Sequence, residues 1–161
     1  MNFLDYLDWR GDITFTERDL NEVDNLIFST LSYLKMDGLI PWDNKAQISV
    51  KDLYDICMAE GVDTSEMPCD PMPLLKKAAD TDRFRDVKLA WYSGIYDSDI
   101  CVQFAAVTFR YAEGRSYIAF RGTDNTLTGW KEDCNFSYIT STPGQIAAAE
   151  YINSIAAMCE D

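Results

Sequence analysis

The chain has 161 residues and 18.3 kDa, with 47% apolar and 25% charged residues. This composition is typical of one globular domain and argues against a disordered chain. Its 14 basic and 27 acidic side chains give a formal charge of −13, which makes nucleic acid and anionic membrane surfaces poor partners. The sequence contains no histidine, so these residues alone cannot form a Ser-His-Asp triad, a Cys-His pair or a His-ligated metal site.

The first part of the single domain, residues 1–80, is predicted to be mainly helical. Apolar residues recur at helical spacing through residues 21–34, and Asn21 is a suitable N-cap. A further helix should begin after Ser49, in a capping-box pattern, and end at Gly61. After a proline-rich turn, a third helix is expected over residues 72–79, with proline in its first turn.

The second part, residues 81–161, is predicted to contain a β-hairpin and a helix. Three segments rich in β-branched and aromatic residues favour strands, at residues 87–92, 100–111 and 116–121. The turn at residues 112–115 joins the last two strands into the hairpin. The longest strand has two apolar faces, made by Val102, Phe104 and Ala106 and by Ala105, Val107 and Phe109. It should therefore be covered on both sides.

A helix over residues 144–160 completes a mixed α/β arrangement. Its expected apolar stripe consists of Ala148, Tyr151, Ile152, Ile155, Met158 and Cys159.

Cysteine usage and the N-terminus favour a cytoplasmic location. The five cysteines are widely spaced and form no C-x-x-C pair, which is typical of reduced, mostly buried thiols. Residues 1–12 carry three aspartates and no apolar run, so they do not look like a secretory signal. No stretch approaches the roughly 18 apolar residues of a spanning helix.

Two minor patterns carry little functional weight. Ser32 and Lys35 match the S-x-x-K pattern of serine acyl-transferases, but the companion S-D-N and K-T-G motifs are absent. Their helical position predicts that both side chains face solvent. The acidic groups at residues 97–99 and 80–86 are typical of a solvated surface, and they miss the calcium-loop spacing. We therefore predict no metal and no cofactor.

The segment with the clearest functional character is residues 117–124, where an apolar strand runs into Gly122, Thr123 and Asp124. A glycine at the end of a strand allows a sharp turn and a close approach of the backbone to a ligand. The backbone N–H groups of residues 122–124 could then point into a crevice and stabilise an oxyanion. An ordinary strand-to-loop exit is the alternative interpretation.

Residues 118–123, with Trp130 and Asp133 downstream, resemble the signature of class 3 lipases and related α/β-hydrolases. Residues 1–12 and 21–24 further resemble a largely uncharacterised bacterial family of lipase-like α/β-hydrolases. The resemblance implies that the chain is the N-terminal portion of an α/β-hydrolase-like fold. It makes Thr123 the oxyanion residue, through its N–H and its hydroxyl, with Gly122 as the hinge and Asp124 in the same loop. Trp130 and Asp133 would hold the loop and the following helix.

The family pattern continues beyond what this sequence contains. A strand and a G-x-S-x-G nucleophile elbow follow the helix that matches residues 144–160, with the acid and the histidine later. These 161 residues include neither the elbow nor a histidine. We therefore expect the front part of a serine hydrolase acting on acyl esters or lipids, without catalytic competence of its own.

Two alternatives to the hydrolase interpretation remain open. The chain could be a non-catalytic interaction or binding protein, as a short form or a pseudoenzyme. It could also be an enzyme that uses carboxylates alone.

If the nucleophile strand is missing, a bare sheet edge beside the strand at residues 117–120 should favour self-association. Whether the chain is itself an enzyme is thus left open by the sequence.

Overall fold

The computed structural model describes residues 2–40, 42, 46–62, 70–97, 99, 102–122, 137 and 140–159. In chain order the elements are α1 (Phe3–Arg10), α2 (Glu22–Leu31), β1 (Ile48–Ser49), α3 (Val50–Glu60), α4 (Met72–Ala79), β2 (Lys88–Asp97), β3 (Val102–Ala112), β4 (Arg115–Phe120) and α5 (Pro143–Cys159). Helices and an antiparallel sheet in one chain confirm the mixed α/β class. Within the described ranges, no helix is both long and apolar enough to cross a membrane.

Side-chain caps start the predicted helices where expected. The Asn21 side chain accepts the N–H groups of Val23 and Asp24, and the Asp24 carboxylate accepts the N–H of Asn21 in return. Ser49 and Asp52 form the same reciprocal pair at α3. At the other end of α3, Gly61 has φ +65°, the left-handed conformation that favours glycine. Both predicted starts and the predicted glycine stop are confirmed.

Two helix limits differ from expectation. α2 ends at Leu31 rather than residue 34, because the N–H groups of Tyr33 and Leu34 donate to carbonyls three residues back and tighten the chain into turns. Leu34 is nevertheless fully buried, which explains why the helical spacing of apolar residues continues past the end of α2. α1 was not predicted. It is capped by Asn2 and Asp5 and fully buries only Leu7, while Phe3, Leu4 and Tyr6 pack against the same core and remain partly exposed.

The described sheet has the order β1-β2-β3-β4, and every neighbouring pair is antiparallel. Ala105, Val107 and Phe109 of β3 pack into the core beneath the N-terminal helices α1–α4. Val102, Phe104 and Ala106 pack with Tyr151 and Ile155 of α5 on the other face. The predicted hairpin and the predicted two-sided burial of its longer strand are confirmed. Helices therefore cover both faces of the sheet.

A bulge in β2 lets this strand place side chains in the hydrophobic cores on both faces of the sheet. The register shifts between Ala90 and Ser93, and Trp91 has φ +53°, which is rare for a bulky residue. As a result Ala90 and Trp91 both lie in the core under α5, while Tyr92 lies in the core under the N-terminal helices. The Tyr151 hydroxyl donates to the Trp91 carbonyl oxygen at 2.9 Å and so ties α5 to the bulge.

The apolar stripe of α5 is narrower than predicted. Tyr151 and Ile155 are buried, whereas Ile152 is 45% exposed and Cys159 is exposed. Ala148 and Met158 are partly buried and pack against the same core, so four of the six predicted stripe residues face the sheet.

Candidate functional site

Gly122 lies just beyond the carboxyl end of β4, an edge strand of the described sheet. The Arg121 N–H donates to the Ala105 carbonyl oxygen at 2.8 Å, so the hydrogen-bonded ladder continues one residue past β4. The chain leaves the sheet at Gly122. Thr123 and Asp124, the other predicted oxyanion residues, lie outside the described residues, as do Trp130 and Asp133.

Gly122 lies close to a side chain of the protein, and the close approach to a ligand expected there stays a prediction. A Cβ added at Gly122 would lie 2.7 Å from the hydroxyl oxygen of Tyr33, and the next nearest atom is Tyr33 Cζ at 3.8 Å. Real Cβ atoms do not approach an oxygen this closely, so glycine is required unless Tyr33 moves. Tyr33 belongs to the turn that follows α2.

A second glycine of the sheet also lies close to polar side chains. Gly94 of β2 is the register partner of Ala105, the residue whose carbonyl receives the Arg121 N–H. A Cβ at Gly94 would lie 2.9 Å from Asp37 Oδ1 and 3.0 Å from the Tyr92 hydroxyl oxygen. At both glycines, the missing side chain leaves space that polar side chains occupy. We call Tyr33, Asp37 and Tyr92, with Gly94 and Gly122, the strand-end site.

The electrostatics of the strand-end site keep Tyr92 protonated. Burial raises the pKa of Tyr92 above its usual 10.0, and the negative charge of Asp37 raises it further, while the positive charge of Arg121 opposes the rise. The Tyr92 hydroxyl donates to Asp37 Oδ2 at 3.3 Å. At neutral pH Tyr92 is thus a neutral phenol that donates a hydrogen bond to the exposed Asp37 side chain.

Three members of the strand-end site were missed in the sequence. Tyr33 and Asp37 lie in a connecting loop, and Tyr92 lies in a strand, with no motif joining them. Gly94 within a strand is the one signal available, since an interior glycine often marks close backbone approach.

The S-x-x-K pattern is not a nucleophile site. Ser32 was expected to face solvent, but it is 1% exposed, and its hydroxyl donates to the Ser29 carbonyl oxygen at 2.7 Å. That expectation is wrong because the turn after α2 folds Ser32 inward. Lys35 is exposed, as predicted.

Among the residues that the structure describes, the acidic groups form no further site. Asp80, Asp82, Asp86, Asp97 and Asp99 are all exposed. Within the described part of the chain, no group of three Asp, Glu or Cys side chains is placed to hold a metal ion.

Cysteine burial is mixed. Cys57 is buried, and this burial raises the pKa of its thiol, whereas Cys159 is exposed. Cys69, Cys101 and Cys134 lie outside the described residues. The expectation of buried thiols is confirmed for Cys57 and wrong for Cys159.

These features define a mixed α/β protein with a constrained glycine at the carboxyl end of a hairpin strand. Residues 78–161, which include β2, β3, β4, residues 122–124 and α5, match the model of the Mbeg1-like family. The match covers just over half of the sequence, and the chain belongs to the Mbeg1-like family. Neither curated proteins nor solved structures gave a match to the chain.

Proposed function

We propose that the chain supplies the oxyanion loop of a lipase-like serine hydrolase that acts on acyl esters or lipids. The observation that carries the proposal is Gly122, which follows an edge strand and at which an added Cβ would lie 2.7 Å from the Tyr33 hydroxyl oxygen. It lies in residues 118–123, the segment that resembles the class 3 lipase signature, and this segment falls within the matched family region. On this proposal the described domain is the N-terminal portion of an α/β-hydrolase fold.

The proposed chemistry uses backbone groups after the strand. When a serine attacks an ester carbonyl, negative charge develops on the carbonyl oxygen, and preorganised N–H donors stabilise it. A hinge at Gly122 would aim the N–H groups of Thr123 and Asp124, with the Thr123 hydroxyl as a further donor. Packing of Tyr33 against Gly122 would fix the direction in which the loop leaves the sheet. Loss of one such donor typically slows acyl transfer by about 10²–10³-fold.

The nucleophile and the base of this reaction must come from residues outside this sequence. The 161 residues hold no histidine and no G-x-S-x-G elbow. The covalent step therefore cannot be activated by these residues in the usual way. We expect no ester turnover from the 161-residue chain itself.

Labelling with a fluorophosphonate tests the proposal. The 161-residue chain and the polypeptide of its complete reading frame are incubated with the probe, and intact masses are measured. One adduct on the longer polypeptide and none on the 161-residue chain is the expected result. A reading frame that stops at Asp161, or a folded longer polypeptide that takes no adduct, would contradict the hydrolase proposal.

The alternative function, a non-catalytic interaction protein, is favoured by the apolar side chains around α5 and β4. Phe120, Ile146 and Ile152 are 38%, 51% and 45% exposed. Phe120 ends β4, whose outer edge has no strand partner among the described residues. Exposed edges of this kind pair with other chains. Under this alternative, the chain self-associates through β4 and carries no nucleophile.

A further inference from the structure

A buried ion pair orders the segment between α1 and α2. The Arg83 side chain is 2% exposed and the Asp24 side chain 0% exposed. Arg83 Nε donates to Asp24 Oδ1 at 2.9 Å, and Nη2 donates to Oδ2 at 2.5 Å. The remaining guanidinium N–H groups donate to the carbonyl oxygens of Ile13, Arg18 and Asp19. This fork holds residues 13–19 in one conformation without using a ligand.

A cavity of about 570 Å³ lies beside this ion pair. It is lined by Tyr6, Arg10, Ile13, Arg18, Asp19, Asn21, Val23 and Arg83. Its polar wall is rigid, because Asn21 Nδ2 donates to the Tyr6 hydroxyl at 2.8 Å and that hydroxyl donates to Asp24 Oδ1 at 2.9 Å. A volume of this size is in the range of small-molecule sites.

The cavity is positively charged, although the chain as a whole carries −13. Arg83 is neutralised by Asp24, and the one acidic lining residue, Asp19, is paired with Arg115 at 2.6 Å. Arg10 and Arg18 are exposed, and neither guanidinium has an ion pair within the described ranges. Two arginines without an ion pair among the described residues therefore line one concave surface.

We propose that this cavity binds a small organic dianion. Guanidinium groups match the oxygen geometry of phosphates and carboxylates, so Arg10 and Arg18 would hold the two charges. Ile13 and Val23 would contact the carbon skeleton of the ligand. A phosphate ester and a dicarboxylate share this chemistry.

The dianion site is separate from the strand-end site. Arg115, which pairs with Asp19 in the cavity wall, is the first residue of β4, whereas Gly122 follows the last. A strand of six residues spans about 20 Å. The dianion proposal therefore does not rest on the hydrolase proposal, and either can fail alone.

Calorimetric titration of the 161-residue chain at low salt tests the site, with phenyl phosphate and succinate as probes and acetate as a monoanion. We expect at least one dianion to bind and acetate not to bind. The variant Arg10→Gln/Arg18→Gln should weaken that binding by about tenfold or more. Since both side chains are exposed, circular dichroism of this variant should match that of the wild type.

The control variant is Lys51→Gln/Arg85→Gln, which removes the same charge at two exposed ion pairs outside the cavity. It should leave the affinity within about twofold of wild type. Binding of phenyl phosphate alone would assign the site to phosphate esters, and binding of succinate alone to dicarboxylates. No binding of either dianion, or equal weakening in both double variants, would overturn the proposal.

Discussion

Gly122 and Tyr33 compete for the same space at the end of β4. Replacing Gly122 with alanine should destabilise the fold by about 1 kcal/mol or less, because the new Cβ would overlap only the Tyr33 hydroxyl, the far end of a side chain that can turn away. In Gly122→Ala/Tyr33→Phe the nearest atom becomes Cζ at 3.8 Å, an ordinary contact. We therefore expect the double variant to regain most of the loss, measured by urea unfolding of all four members of the cycle. If the losses of unfolding free energy in the two single variants simply add in the double variant, the Tyr33 hydroxyl is not the cause of the Gly122→Ala destabilisation.

The Arg83–Asp24 pair should be essential to the fold. Replacing Arg83 with alanine leaves a buried carboxylate without its partner, which typically costs about 3–5 kcal/mol. The matched control is Arg85→Ala, two residues on, which removes an exposed pair with Asp82 and should cost less than about 1 kcal/mol. Urea unfolding distinguishes the two, and similar losses would contradict the structural role given to Arg83.

At the scale of the elements, α5 is held to the sheet through a tyrosine that cannot ionise easily. Burial raises the pKa of Tyr151 from 10.0 to about 12, opposed by a hydrogen bond with Thr108. Above pH 10 the unfolded chain loses this proton while the folded chain keeps it. The stability contribution is therefore complete below pH 10 and is lost as the pH rises to about 12.

The full loss is about 3 kcal/mol, of which about 2 kcal/mol falls between pH 9.5 and pH 11.5. It is measured by comparing urea unfolding at these two pH values, and Tyr151→Phe should reduce the pH-dependent difference by about 2 kcal/mol. Tyr96→Phe, at a tyrosine that is 62% exposed, should leave the difference at its wild-type value. A Tyr151→Phe variant with the full wild-type pH dependence would contradict this assignment.

Local patterns explain which elements could be predicted. The caps at Asn21 and Ser49 and the stop at Gly61 depend on neighbours within a few residues, and the apolar residues on both faces of β3 predict its two-sided burial directly. The strand-end site depends on long-range packing instead. Tyr33 and Gly122 are 122 − 33 = 89 positions apart, so no local pattern joins them. The bulge at Trp91 likewise follows from the two cores that β2 must serve.

At the scale of the whole molecule, the net charge of −13 opposes association of copies through the β4 edge. Salt screens this repulsion, so we expect a larger dimer fraction at 500 mM than at 20 mM sodium chloride, measured by light scattering after size exclusion. Ser116→Lys on β4 should reduce the dimer fraction, because charges on an edge strand hinder pairing. Ser154→Lys on α5 is the control and should have little effect. A monomer at both salt concentrations would contradict self-association.

The two helical layers hold the sheet unequally. The N-terminal helices share a large buried core with it, whereas α5 contributes only Tyr151 and Ile155 as buried side chains. Regions with few buried contacts open at lower free energy than the rest of a domain. In native-state hydrogen exchange, we expect the α5 amides to exchange well before those of β3. Undocking of α5 would uncover Phe104 and Trp91 while the N-terminal core stays folded. The first partly unfolded form of the protein should therefore be a sheet with one bare apolar face.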